Sequence, residues 1–173
     1  MSDLNDIIVI DPPWAFASNS VAKPGRNARR HYPTMTDKEL RALPIPAAKD
    51  AVMFLWTTSP MLERAIRLIP YWGFEYKSCL IWDKQMVGTG HWVRNRHELV
   101  LICRRGRFPC PRPAPFSTSI IESKRREHSR KPDELQDRID EVWPEARKIE
   151  MFARQQRSGW AAWGNEVGKF DAA

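Results

Sequence analysis

Asp11-Pro12-Pro13-Trp14 stands directly after the β-branched run Ile7-Ile8-Val9-Ile10, and its residue types suit one kind of chemistry. The amine of a nucleobase such as adenine is a poor nucleophile, because its lone pair is delocalised into the ring. Two acceptors gripping its two N–H bonds favour a pyramidal nitrogen and aim the lone pair at an electrophile. The Asp11 carboxylate supplies one acceptor and the Pro12 backbone carbonyl the other. Pro13 restricts Pro12 to extended backbone angles, which fixes the direction of that carbonyl. Trp14 offers a face on which a base could stack once it has left its helix. Catalysis of this kind is positioning and electrostatics, with no covalent enzyme intermediate. The proton leaves after attack, so no histidine is assigned as a strong base. Alone, Asp-Pro-Pro reads as an ordinary turn. Placed after a buried strand it reads as a site, because open α/β sheets bind ligands at the carboxyl ends of their strands.

The elements that must position these residues follow from hydrophobic patterning. Ile7–Ile10 reads as a strand buried on both faces and stopped by proline. Residues 15–35 form a long polar, loop-like stretch, a length that in a compact domain points to a functional or a mobile loop. Thr36-Asp37-Lys38-Glu39 is a capping box opening a short helix. Ala51–Trp56 is a second buried strand. Ser59-Pro60 starts a helix whose apolar stripe is Leu62, Ala65, Ile66 and Ile69, ended by Gly73. Glu75–Trp82 and Glu98–Cys103 are strands three and four. Residues 104–116 read as an exposed Arg- and Pro-rich connection. Pro132 opens a helix through Val142 with Leu135 and Ile139 on one face, and Lys148–Phe152 and Trp160–Trp163 are two late strands. Strands alternating with helices predict an α/β fold, a mainly parallel sheet with flanking helices, in one domain over residues 1–173.

The composition narrows the partners. Lys and Arg number 28 against 21 Asp and Glu, a formal charge of +7, which favours a polyanion. Two basic clusters flank the segments of interest. Lys23, Arg26, Arg29 and Arg30 follow the tetrapeptide, with Tyr32 close behind, and Lys124, Arg125, Arg126 and Arg130 precede the last helix. Each reads either as a solvated face or as phosphate contacts beside a target base. His91 and Trp92, in a glycine-containing loop, join the nucleic-acid candidates. The three cysteines, Cys79, Cys103 and Cys110, lack C-x-x-C spacing, so neither a disulfide framework nor a zinc knuckle is expected, and no histidine pair has metal-ligand spacing. Cys79 and Cys103 sit in apolar runs and are expected to be buried thiols. No apolar run nears the roughly 18 residues of a membrane helix, and no signal peptide is visible, so a cytoplasmic protein is expected.

An ordered set of segments resembles a known family. Tyr32-Pro33-Thr34-Met35-Thr36, Phe54-Leu55-Trp56, Ile81-Trp82-Asp83-Lys84, Gly88-Thr89-Gly90-His91-Trp92 and Ser129-Arg130-Lys131-Pro132-Asp133-Glu134 follow the tetrapeptide in order. Lys148-Ile149-Glu150-Met151-Phe152-Ala153-Arg154 and Trp163-Gly164-Asn165-Glu166 complete the set. Together they resemble the adenine-N6 methyltransferases that include the messenger-RNA N6-methyladenine writer and its bacterial and phage DNA relatives. The resemblance implies a Rossmann-like S-adenosylmethionine-dependent methyltransferase fold in permuted order, the catalytic strand first and the cofactor strands last. It implies S-adenosyl-L-methionine as cofactor. Asp11 and Pro12 match residues near both the cofactor's amino acid moiety and the target amine. Lys131 matches a lysine on the cofactor carboxylate. Arg154, Gln155 and Arg157 fall in the turn around ribose and adenine, and Asn165 and Glu166 match the pair on the ribose hydroxyls. Two departures stand out. Ala153-Arg154-Gln155-Gln156 occupies the place where methyltransferases often carry glycines, and Gln156 and Arg157 stand where the messenger-RNA writer has His and Asn.

The resemblance implies methylation of adenine N6 in nucleic acid, and a homodimer or heterodimer as a way to build the nucleic-acid groove. Small size without an evident RNA-binding domain puts DNA before RNA as the expectation. With no evident target-recognition domain, recognition is expected from the loops near residues 15–35, 84–96 and 104–130 or from a partner. Alternatives are an RNA enzyme and a silent nucleic-acid-binding subunit. Cytosine N4 is disfavoured, since enzymes for that task commonly begin the tetrapeptide with Ser or Asn.

Overall fold

Ile7, Ile8, Val9 and Ile10 form the heart of β1 (Asn5–Ile10), and all four are buried completely. Successive strand residues point to opposite faces. Ile8 and Ile10 accordingly join one apolar cluster, and Ile7 and Val9 the other. Each such side chain contributes about 1.5–3 kcal/mol by leaving water. A run that is apolar on both faces thus demands helices on both, and the chain supplies them.

The computed structural model describes residues 4–15, 34–88, 92–111, 115–127 and 130–171. After β1 come α1 (Asp37–Arg41), β2 (Ala47–Thr57), α2 (Leu62–Leu68), β3 (Glu75–Asp83), β4 (His97–Arg105), β5 (Ile120–Glu122), α3 (Glu134–Val142), β6 (Lys148–Met151) and β7 (Trp160–Trp163). The seven strands make one sheet in the order β5-β3-β4-β2-β1-β6-β7. β2, β1, β6 and β7 run parallel, and β5 runs parallel to β3. β4 is antiparallel to β2 and β3. Six strands therefore point one way and β4 alone is reversed, the mainly parallel α/β sheet that the patterning predicts. Leu40 of α1 and Ala65 and Leu68 of α2 pack on one face, Leu135 and Ile139 of α3 on the other.

Several boundaries differ from the pattern reading, each for a local reason. The capping box is present, with the Glu39 N–H donating to Thr36 Oγ1 and the Thr36 N–H to Glu39 Oε2. The second helix is α only over Leu62–Leu68, with 3-10 turns at Ser59–Met61 and Ile69–Trp72. Ile66 points outward, and Leu68 takes the inward position. β6 stops at Met151 because Phe152 turns into the left-handed region, φ 61°. β5 lies just past residues 104–116, where the patterning assigned no element. Its three residues pair with Ile81–Asp83 of β3, too short to carry a periodic signal. Residues 104–116 are not uniformly exposed either: Phe108 is buried and Phe116 stacks on Phe54 at 6.0 Å. Cys103 is buried and burial pushes its thiol up to about 12, whereas Cys79 is only half-buried.

Candidate active site

Six parallel strands and one reversed strand bring the carboxyl ends of β1, β3, β5, β6 and β7 and the start of β4 to a single edge of the sheet. Asp11 stands there at the end of β1. The tetrapeptide is pinned by main-chain bonds. The Trp14 N–H donates to the Pro12 carbonyl at 2.8 Å, and the Met35 N–H donates to the Pro13 carbonyl at 3.0 Å. The Pro12 oxygen has a second lone pair left for a ligand. The Trp14 ring corrects the expectation of base stacking. It is 4% exposed, packs in the core cluster, and its indole N–H donates to the Trp56 carbonyl at 3.3 Å. A ring so enclosed presents no face to a base; it anchors the tetrapeptide to β2.

Lys131 meets Asp11 Oδ2 at 2.9 Å and Glu98 Oε2 at 3.2 Å. Glu98 Oε1 in turn faces Lys84 at 3.4 Å. Four alternating charges from four separate segments thus form a chain, Lys84–Glu98–Lys131–Asp11. The Lys131 ammonium lies 5.4 Å from the Trp56 ring centroid, and Trp82 stands edge-on to Trp56. Burial works against the Lys131 charge, but the Asp11 and Glu98 carboxylates outweigh it and hold the ammonium above the ordinary lysine range. Burial likewise opposes the Glu98 charge, and Lys131 and Lys84 outweigh it, so Glu98 stays below the usual carboxylate range.

Beside this chain lies an open cleft. Asp11, Asp133 and Glu150 supply acids, and Arg130, Lys131 and Arg154 supply bases. Gln136, Gln155, Phe152 and Phe170 complete the lining. Burial pushes the Glu150 carboxyl up to about 7; a hydrogen bond from Gln136 opposes this and the nearby Asp11 adds to it. Gln136 Nε2 donates to Glu150 at 3.3 Å, while the buried Gln136 Oε1 has no partner among the described residues. A buried acceptor without a donor costs about 1–3 kcal/mol, which a ligand N–H would recover.

The late strands shape the far end. Arg154 Nε donates to Glu166 Oε2 at 2.9 Å, and Glu166 also holds Lys169. Asn165 is exposed at the turn after β7. Gly164 lets the two turns touch: a Cβ there would stand 2.9 Å from the main-chain N and O of Ala153. Gln155 bridges Asp133 at 3.1 Å and Arg130 at 3.4 Å. Arg157 does not line the cleft. Asp137 and Asp140 of α3 draw its guanidinium away at 2.7 and 2.8 Å, so it braces the turn against the helix.

The second basic cluster divides. Arg126 is committed to Asp133 and to the Lys131 carbonyl, and Arg130 to Glu127 and Gln155. Lys124 and Arg125 are exposed on the strand-end side and make no ion pair among the described residues. Trp92 is 98% exposed. Lys23, Arg26, Arg29, Arg30, Tyr32 and His91 lie outside the described residues. Among the described residues no helix is long and apolar enough to cross a membrane.

Sequence reasoning overlooked Lys84, Glu98, Gln136, Glu150, Phe152 and Phe170. Two carried a signal. Glu98 and Glu150 are ionisable residues at or inside strand runs otherwise apolar, and a charge there needs a partner or a function.

Comparison with known proteins places this geometry. The family model described as MT-A70 matches residues 5–166. The chain is 34% identical over 179 residues to the Type II methyltransferase M.MunI of a Mycoplasma species, covering 93% of this chain and 77% of that protein. It is 31% identical to the N(6)-adenosine-methyltransferase MT-A70-like of Arabidopsis thaliana and 30% identical to the human N(6)-adenosine-methyltransferase catalytic subunit METTL3, each over 172 residues. Those alignments cover 93% of this chain but only 23% and 28% of the longer proteins. The chain belongs to the MT-A70 family, the adenine-N6 methyltransferases that its ordered motifs resemble.

Proposed function

We propose that this domain transfers a methyl group from S-adenosyl-L-methionine to N6 of adenine in DNA. The observation that carries the reading is Asp11 at the end of β1, with the Pro12 carbonyl next to it in the chain: the Asp11 carboxylate lines a cleft that carries both signs of charge. A zwitterionic sulfonium fits that lining. Two of the three Lys131 N–H donors meet Asp11 and Glu98, and the third is left for a carboxylate. Gln136 Oε1 and Glu150 are acceptors suited to an ammonium group. Asn165 and Glu166 would take the ribose hydroxyls, with Arg154 and Gln155 alongside. The bound cofactor supplies an electrophilic methyl group.

The chain's own residues do the rest. Lys131 occupies Asp11 Oδ2, which leaves Oδ1 for one N–H of the target amine. The free lone pair of the Pro12 carbonyl takes the other. With both protons held, the nitrogen lone pair points away from them and toward the methyl. Lys124, Arg125 and the exposed Trp92 border the same edge and suit phosphate contact and base stacking. Similarity to a type II methyltransferase over 77% of that protein supports DNA as the polymer.

Labelled S-adenosylmethionine with matched DNA and RNA, single- and double-stranded, tests this. The expected product after digestion is N6-methyladenine from DNA. Asp11→Ala should abolish transfer while cofactor binding falls less. Equal turnover in that variant refutes the role of Asp11, and product from RNA alone refutes the choice of polymer.

A further inference from the structure

Phe170 is an apolar ring that serves neither core. It is only half-buried, and it belongs to neither of the two hydrophobic clusters that flank the sheet. It lines the cleft instead, in charged company: Arg130 lies 5.3 Å and Lys169 5.9 Å from its ring centroid. An aromatic ring held among cations in the lining of a cleft adds nothing to either apolar core. Its placement makes sense as a surface for a flat ligand.

The backbone holds it there from both sides. The Phe170 N–H donates to the Arg154 carbonyl at 3.0 Å. The Gln156 N–H donates to Asp171 Oδ1 at 2.9 Å. Gly168, at φ 92°, makes the reversal between Glu166 and these two anchors, a conformation that side chains rarely adopt. The segment after β7 is thus clasped onto the turn after β6, next to the Arg154–Glu166 pair. Phe170 also lies beyond residue 166, where the family match ends.

We infer that Phe170 is the stacking platform for the purine ring of the cofactor, with Arg130 holding the ring in place from one side. The inference rests on the cofactor reading above. The geometry orders the cleft. The reacting end belongs at Asp11 and Lys131, and the nucleoside end at Arg154, Glu166 and Phe170. Stacking on an aromatic ring is sequence-tolerant but needs a flat π face, so an aliphatic side chain of similar bulk will not replace it.

The test is calorimetric titration of the whole chain with S-adenosylhomocysteine and with 5′-methylthioadenosine. Unaltered protein, Phe170→Tyr, Phe170→Leu and Phe170→Ala are compared, with melting temperatures alongside. Phe170→Tyr should bind within about twofold of the parent. Phe170→Leu and Phe170→Ala should bind both ligands about tenfold more weakly. Because Phe170 lies outside both cores, all four should melt within a few degrees of one another. Parent-like affinity in Phe170→Leu overturns the proposal, as does weakened S-adenosylhomocysteine binding with 5′-methylthioadenosine untouched. Absence of binding by the unaltered protein overturns the cofactor reading itself, a different result from a silent Phe170 substitution.

Discussion

Replacing Lys131 by methionine keeps the length of the side chain and removes the ammonium that stands between Asp11 and Glu98. At the 3.2 Å separation from Glu98, two unit charges attract by about 5 kcal/mol at an effective dielectric constant of about 20, and by about 1.3 kcal/mol in water. The Lys131 and Glu98 side chains are 16% and 17% exposed, so the pair sits nearer the first limit. Desolvation of both groups offsets much of that attraction. We expect a coupling of about 2–3 kcal/mol between them. Lys131→Met alone should cost about 3–5 kcal/mol, because it takes the ammonium from Asp11 and leaves the buried Glu98 carboxylate with Lys84 alone. Adding Glu98→Gln removes that buried charge and should return part of the loss.

The assay is urea unfolding of all four members of the cycle at pH 7.5 and 5.5. Glu98 is held below the usual carboxylate range in the intact protein. Its contribution is therefore present above the ordinary glutamate value and lost as pH falls through the lowered one. Without Lys131, burial outweighs what Lys84 alone supplies, and Glu98 moves upward. Stability from this group then grows as pH falls toward the ordinary value. The gap between the parent and Lys131→Met should narrow by at least 1 kcal/mol from pH 7.5 to 5.5 (about one pKa unit of linkage). Additivity within about 0.5 kcal/mol, with a gap that does not change with pH, would refute the account of the charge chain.

Three further outcomes follow from the same geometry. Burial pushes Glu150 up to about 7, so its charged form opposes folding above that pH. Glu150→Gln should gain up to about 3 kcal/mol at pH 8 and close to nothing at pH 4.5, read by urea unfolding; a loss at pH 8 contradicts the burial argument. Gly164→Ala places a Cβ 2.9 Å from the Ala153 main chain, which cannot swing aside. It should destabilise by about 1–3 kcal/mol and weaken cofactor affinity, and thermal melts with calorimetry check both. Lys124→Ala and Arg125→Ala should each lower the slope of log K against log salt for duplex DNA by about 1. Arg126→Ala, whose guanidinium is committed internally, should lower stability and leave the slope nearly unchanged.

The fold was legible where one residue type decides one outcome. A run of four β-branched residues had to be buried on both faces, and Ile7–Ile10 is. Thr36 and Glu39 had to cap a helix, and they do. Gly73 had to end the second helical unit, and it takes φ 74° there. What escaped the pattern was set by distant pairing. Ile120–Glu122 is a strand only because the edge of β3 needs a partner, and Ile66 faces outward because 3-10 turns at both ends rotate the short α2.

The site divides along the same line. Asp11, Pro12 and Lys131 are singled out by their motifs, and the fold brings Asp11 and Lys131 within 2.9 Å of each other at one edge. Trp14 and Arg157 carry the right chemistry for the roles first given to them, but residue type does not report what a side chain spends itself on. The Trp14 N–H is spent on Trp56, and the Arg157 guanidinium on Asp137 and Asp140. The same accounting reduces the meaning of net charge. Of the basic side chains near the cleft, Arg126, Arg130, Arg154 and Arg157 are each held by a carboxylate. An excess of +7 therefore does not measure the charge offered to a phosphate backbone. The Lys84–Glu98–Lys131–Asp11 chain shows the converse. No window of the sequence holds its members together, since they come from the ends of β3, β4 and β1 and from the approach to α3. One reversed strand in an otherwise parallel sheet is what delivers Glu98, at the start of β4, to the edge where the other strands finish. Without that reversal Lys131 would face Asp11 alone, and the ammonium would lack the second carboxylate that keeps it charged in a buried place.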